Sequence, residues 1–311
     1  MSRDSAGSRD RTSAATGSSP SVVHGGLFAT LIDDAAVFPP GSAALPDALD
    51  AHRRLRQSPA CTSIGPLLVQ ASALPALLEL LEDPAEPIAI GIIGAPGDAA
   101  ALVAATQLAI GRDGLSVVGV EIAAAGRPLD DLLTDLAPLS GTTGEQLGVA
   151  LEIERGRPEQ LEVVATLRDR LPPGRLRGKY RTGGVEPGSV PSAAELASVL
   201  VHAVRLNLPI KLTAGLHHAV RTTTQHGVLN VLLAVDAAFD QPSRVPDWLE
   251  QDDPGQLVGA LNDWDDIQVA RARSIFTSFG CCGVLEPLTE AARLGVIGRV
   301  AHDLTLPKEC R

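Results

Sequence analysis

The sequence predicts an α/β protein, a (β/α)8 TIM barrel with a helical insertion between strands 7 and 8. Three observations carry this. Short apolar runs bounded by Gly, Pro or polar residues alternate with Ala/Leu-rich stretches of helical period, the pattern of βα units around a parallel sheet. Eight such runs are present, and their starts recur roughly every 24 to 37 residues, with about 66 before the last, as repeated strand–helix units with one long excursion require. The competing architecture, an open doubly wound sheet, needs a Gly-x-Gly-x-x-Gly turn after its first strand and a topological switch, and neither is visible.

The expected strands follow in chain order. Leu27–Ile32 is an apolar run closed by Asp33 and Asp34, Ile64–Val69 ends on Gln70, and Ile88–Ile93 lies between Pro87 and Gly94. Leu115–Val120 follows Gly114 and runs into Glu121, and Leu147–Ile153 carries Glu152 at its end. Leu176–Tyr180 contains Lys179, Leu208–Leu212 contains Lys211, and Ser274–Ser278 precedes a Gly280–Gly283 segment. Between the last two strands, an apolar helical stretch, Val228–Phe239, is followed by Pro242, Pro246, Trp248, Pro254 and Trp264, so residues 227–272 read as a helical excursion near the rim. It serves as a lid or as a dimer surface, which leaves homo-oligomer formation open. Residues 1–20 are polar and low in complexity and read as a disordered tail, and 21–311 as a single barrel domain.

Composition narrows the function. With 45% hydrophobic residues among 311, the chain can bury a large core. Lys plus Arg number 26 against 37 Asp plus Glu, a formal charge of −11, which argues against nucleic-acid or anionic-membrane partners. No apolar run approaches the roughly 20 residues of a membrane span, and the first residues carry no signal-peptide core, so a cytoplasmic location is expected. The four cysteines, Cys61, Cys281, Cys282 and Cys310, have neither disulfide-framework nor zinc spacing and read as reduced thiols.

Lysine is almost absent: Lys179, Lys211 and Lys308 are the only three, and every other cation is arginine. Two of the three fall at matching positions on consecutive strands, which places their amines side by side. For charge alone arginine would serve, but a nucleophilic amine must be able to lose its proton, which guanidinium does not. A free lysine needs its pKa lowered by about 3 units to attack a carbonyl at neutral pH, worth about 4 kcal/mol. A neighbouring cation and a dry barrel mouth both act in that direction. The pair therefore reads as a Schiff-base arrangement, one lysine condensing with a substrate carbonyl while the other depresses its pKa. The alternatives are that both lysines neutralise buried carboxylates such as Glu152 and Asp33, or that a lysine merely holds a phosphate.

These residues resemble deoxyribose-phosphate aldolase and related class I aldolases, (β/α)8 barrels that form a Schiff base from a lysine on the sixth strand. Lys179-Tyr180-Arg181-Thr182-Gly183 is similar to that family's Lys-x-x-Thr-Gly segment. Lys211-Leu212-Thr213-Ala214-Gly215 partly repeats its Lys-x-x-Gly-Gly segment on strand seven, and Leu31-Ile32-Asp33-Asp34-Ala35 resembles its first-strand Ile-Asp-His-Thr with the His and Thr replaced. The resemblance implies Lys179 as the Schiff-base residue, Lys211 as its pKa-lowering neighbour and Asp33 as polar support. Glu121 is the only candidate for the family's acidic residue on strand four. The long segment before strand eight has no counterpart, so the resemblance implies a distant relative with a different substrate.

The remaining polar residues fill out the site. Glu152 and Glu121 join Lys179, Lys211 and Asp33 as candidates for proton transfer, while Arg181, Thr182, Thr213, Asp34, His217, His218 and His226 are candidates for binding substrate. Arg181 with Gly183 and Gly184, and the helix start after Gly280–Gly283, could each hold a carboxylate or phosphate. Cys281 and Cys282 read as buried small thiols before nucleophiles, Tyr180 as packing outward against helices as readily as a catalytic phenol, and His24, His52, His202 and His302 as incidental. The expected function is a lyase of the aldolase type acting on a small carbonyl substrate, with an anionic group on it allowed, and calling for no cofactor and no metal. Two alternatives stand beside it: a metal-dependent hydrolase or lyase using His217, His218 or His226 with a carboxylate, and a non-catalytic barrel acting as a binding subunit.

Overall fold

The computed structural model describes residues 26–81, 87–139, 147–172 and 174–297. The tail expected over 1–20, with His24, His302, Lys308 and Cys310, lies outside the described residues. Eight strands, β1 (Ile32–Asp34), β2 (Ile64–Gln70), β3 (Ile88–Ile93), β4 (Leu115–Ala123), β5 (Gly148–Glu152), β6 (Leu176–Arg181), β7 (Ile210–Thr213) and β8 (Phe276–Cys281), pair in parallel in sequence order and close into a barrel. Around them run α1 (Leu45–Arg56), α2 (Leu74–Leu80), α3 (Ala99–Ala109), α4 (Leu129–Asp135), α5 (Gln160–Thr166) and α6 (Ala193–Arg205). Four helices separate β7 from β8, α7 (Val228–Asp240), α8 (Val245–Glu250), α9 (Pro254–Asn262) and α10 (Asp266–Ile275), and α11 (Leu285–Arg293) follows β8.

Strands of a parallel barrel are covered on both faces, which is why they read as apolar runs rather than as alternations. Leu67, Leu68 and Val69 of β2 are all buried, as are Ile90 and Ile92 of β3. Four of the helices, α3, α6, α9 and α10, start where a short polar side chain satisfies an early amide. Ser192 and Glu195 form a capping box on α6, and Asp265 and Gln268 another on α10. The apolar face of α6, Leu196, Val199, Leu200 and Ala203, is buried. α7 is apolar almost all round, with Val228 to Val235 buried throughout, and packs against α6, α8 and α10, so it is part of the shell of the barrel.

Three strands, β1, β7 and β8, start two or more residues later than the sequence predicts. Residues 27–30 form turns rather than strand, with Ala29 N–H donating to Gly26 O and Thr30 at φ +47°, so β1 begins at Ile32. β7 begins after Pro209, which has no amide to give a neighbouring strand. β8 begins at Phe276 because α10, once capped at Asp265, runs on to Ile275. The last shift matters for the site, since it puts Ser278 inside the barrel and makes Cys281 the final residue of β8. Among the described residues, no helix is long and apolar enough to cross a membrane.

Candidate functional site

Strand register assembles the site. In the ladders, Glu152 of β5 lies opposite Lys179 of β6, Lys179 opposite Lys211 of β7, and Lys211 opposite Ser278 of β8. Paired residues on neighbouring strands share a face, and this face is the barrel interior. Lys179, Lys211, Asp33, Glu121 and Ser278 are all buried there. Lys179 Nζ lies 2.8 Å from Glu121 Oε2 and 3.1 Å from Glu152 Oε2. Lys211 Nζ donates to Asp33 Oδ2 at 2.5 Å and to Glu121 Oε1. Ser278 Oγ donates to the same Asp33 oxygen at 3.0 Å. One carboxylate, Glu121, thus bridges the two amines, with one oxygen turned to each.

This geometry corrects the expected electrostatics. The sequence reading has two cations lowering each other's pKa, whereas three carboxylates surround them. Burial disfavours the charged Lys179, but Glu121 and Glu152 more than offset this and raise its pKa above the ordinary lysine value. Burial likewise works against charge on Glu121, and the two ammonium groups overcome it, holding that carboxyl at about 2 against an ordinary 4.5. Lys179 in the free protein is protonated, and both amines are paired with carboxylates, the arrangement that the charge-neutralising alternative anticipates. Arg181, half exposed at the end of β6, donates from Nε to the other oxygen of Glu152 at 3.2 Å. The cluster therefore opens outward through Glu152.

No family model, curated protein or solved structure matches the chain. The functional reading accordingly rests on the geometry of its own residues.

Two glycines make room for the cluster. A Cβ on Gly65 of β2 would overlap the Asp33 carboxylate, so this carboxylate can turn inward only because residue 65 has no side chain. A Cβ on Gly183 would overlap the Ala214 carbonyl, where the chains leaving β6 and β7 touch. Ala214 and Leu216 beside this contact have φ of +57° and +61°, a left-handed backbone that costs non-glycine residues energy. Substituting Gly65→Ala should push Asp33 off Lys211 and lower stability by about 1–3 kcal/mol. A denaturation midpoint equal to wild type would show that the carboxylate is not confined as described.

The substrate-binding candidates do not converge as a set. Thr182 is buried and donates from Oγ1 to the Thr213 carbonyl at 3.1 Å, tying the ends of β6 and β7 together, and Thr213 is partly exposed at the mouth. Asp34 faces away from Asp33, as strand alternation dictates, and Oδ2 meets His52 Nδ1 of α1 at 3.0 Å with both groups buried. That separates Asp34 from the interior cluster and gives His52, read as incidental, a specific partner. His217, His218 and His226 point to three places. His217 Nδ1 lies 3.2 Å from Glu286 Oε2, with Cys281 and Cys282 Sγ beside the ring, and His218 Nδ1 lies 2.9 Å from Glu290 Oε1. His226 is buried, its Nε2 is 2.8 Å from the Pro191 carbonyl, and burial lowers its pKa.

Among the described residues no group of three or more His, Cys, Asp or Glu side chains is placed to hold a metal ion, which leaves the metal-dependent alternative without a ligand set. Burial raises the pKa of both Cys281 and Cys282, away from the thiolate a nucleophile needs. Tyr180 is buried outside the barrel interior, as its parity predicts. The sequence reading missed Gly65, Glu286 and Glu290. Each acts across 30 or more positions of chain, beyond any local spacing; the available signal for the last two was an i,i+4 acidic pair opening the helix after the final strand.

Proposed function

We propose that this chain is a lyase of the aldolase type, in which Lys179 forms a Schiff base with a small carbonyl substrate. The observation that carries the reading is the sharing of one buried carboxylate, Glu121, by two interior lysines in a chain whose other side-chain cations, Lys308 apart, are arginines. Neutral pairing alone needs no lysine, and no second lysine at the adjoining ladder position.

In this reading Lys179 first gives a proton to Glu152, the least buried of its partners and 3.1 Å away. The amine then adds to the substrate carbonyl carbon, the carbonyl oxygen takes up a proton, and loss of water leaves a protonated imine. That imine accepts the electron pair of the bond between its α- and β-carbons as it breaks, Glu152 removes the proton from the departing β-hydroxyl, and the resulting enamine takes up a proton at the α-carbon to become an imine again. Hydrolysis returns the amine. Lys211 and Asp33 fix the Glu121 carboxylate, and Arg181, Thr182 and Thr213 border the entry from the mouth. The same reading takes residues 227–272 as a helical excursion from the barrel and places the free thiols Cys61, Cys281 and Cys282 in a reducing, cytoplasmic setting.

Borohydride added to the protein with a series of small aldehydes and ketones should leave a stable mass adduct on Lys179. An adduct that persists in Lys179→Met, or none with any carbonyl compound, overturns the assignment. The second reading, a catalytically silent binding barrel, is favoured by one observation, the paired and protonated state of Lys179, and the absence of any adduct would support it.

A further inference from the structure

On the Schiff-base reading, the mouth of the barrel restricts the class of substrate. In barrels of this kind an anionic substrate group is frequently held between the loops after strands 7 and 8 and a helix N-terminus there. The Gly280–Gly283 segment leading into α11 is the corresponding place, and the structure fills it with carboxylates. Glu286, in the first turn of α11, lies against Gly283 so closely that a Cβ on that glycine would strike its carboxylate, and it pairs with His217. One turn on, Glu290 accepts the Ala219 N–H at 2.7 Å and pairs with His218. The Ala219 N–H and both histidines are thus engaged by the chain's own acids, and the Glu286 carboxylate stands over Gly283 at the helix start.

The cations of this end are engaged as well. Among the described residues, the arginines at or after the strand ends are Arg127, Arg155, Arg157, Arg181 and Arg221. They bond respectively to Asp135, Glu195, Glu159, Glu152 and the Glu250 carbonyl. The interior cluster itself sets three carboxylates against two ammonium groups. A phosphate or carboxylate on the substrate would meet like charge on entry.

We infer that the site takes an uncharged aldehyde or ketone, with neither phosphate nor carboxylate on its non-reacting end. The test compares D-glyceraldehyde with D-glyceraldehyde 3-phosphate at equal concentration, measuring the rate of borohydride-trapped adduct on Lys179 relative to that on N-acetyl-lysine. The neutral aldehyde should react roughly tenfold faster or more, and excess inorganic phosphate should not slow it. In Glu286→Gln, a change at a largely exposed side chain, and in Glu286→Gln/Glu290→Gln, the preference should shrink by about threefold or more. Equal or faster labelling by the phosphorylated aldehyde, competition by phosphate, or a preference unmoved in both variants overturns the inference alone. No adduct from either aldehyde overturns this inference, and none from any of the small carbonyl compounds above overturns the Schiff-base reading with it.

Discussion

Replacing Glu121 with glutamine is expected to lower stability by about 3–5 kcal/mol at neutral pH, the cost of removing one partner from a buried ionic network. Among the described residues Glu121 is the only group that touches both amines, so its loss leaves them facing each other across a neutral amide with one carboxylate each. Reversible denaturant unfolding reads the effect. Wild-type stability in Glu121→Gln would mean that Asp33 and Glu152 suffice to hold the lysines.

The same carboxylate sets the acid limit of the fold. Its pKa is about 2 in the folded protein and ordinarily 4.5, so the folded state holds the charged form more strongly than the unfolded chain does. The contribution is complete above pH 4.5 and is lost as the pH falls toward about 2, because the unfolded chain binds the proton first. Wild type should lose about 3 kcal/mol across that interval from this group. Glu121→Gln should be flatter there, and equal acid slopes in the two proteins would contradict the assignment.

The second large effect concerns Lys211. With Lys211→Met, Glu121 turns its full charge on Lys179, which then holds its proton more tightly. Labelling of Lys179 at neutral pH should fall roughly a hundredfold, and its pH profile should move about 2 units upward, with the rate recovering in alkali. A structural role alone would lower the amount of folded protein without moving the profile. An unmoved profile in folded Lys211→Met would remove Lys211 from the chemistry and leave it as a charge partner of Asp33.

The fold was legible because barrel strands are buried on both faces and so announce themselves as apolar runs; β3 matches its predicted span residue for residue. The failures at β1, β7 and β8 come from apolar residues such as Leu27, Leu208 and Ile275, which are buried without being in strands. Apolarity records burial, and only backbone pairing decides conformation. The site was legible in its membership, since Lys179, Lys211, Asp33, Glu121 and Glu152 meet as their strand ends suggested. Its electrostatics were not, because whether a carboxylate approaches or avoids an amine depends on angles around the barrel that no one-dimensional pattern contains. Asp34 shows the finer limit: it adjoins Asp33 in sequence, yet alternation sends it to His52 in another layer.

The ladder that sets Lys179 opposite Lys211 encodes the site as parity rather than as separation. Residues added to the connection between β6 and β7 would leave both amines indoors, whereas one residue deleted within either strand would send its lysine into the helical shell and bring a bulky apolar neighbour, Tyr180 or Leu212, into its place. Natural drift and directed evolution can thus lengthen the connections of this barrel, while its interior lysine pair tolerates strand changes only two residues at a time.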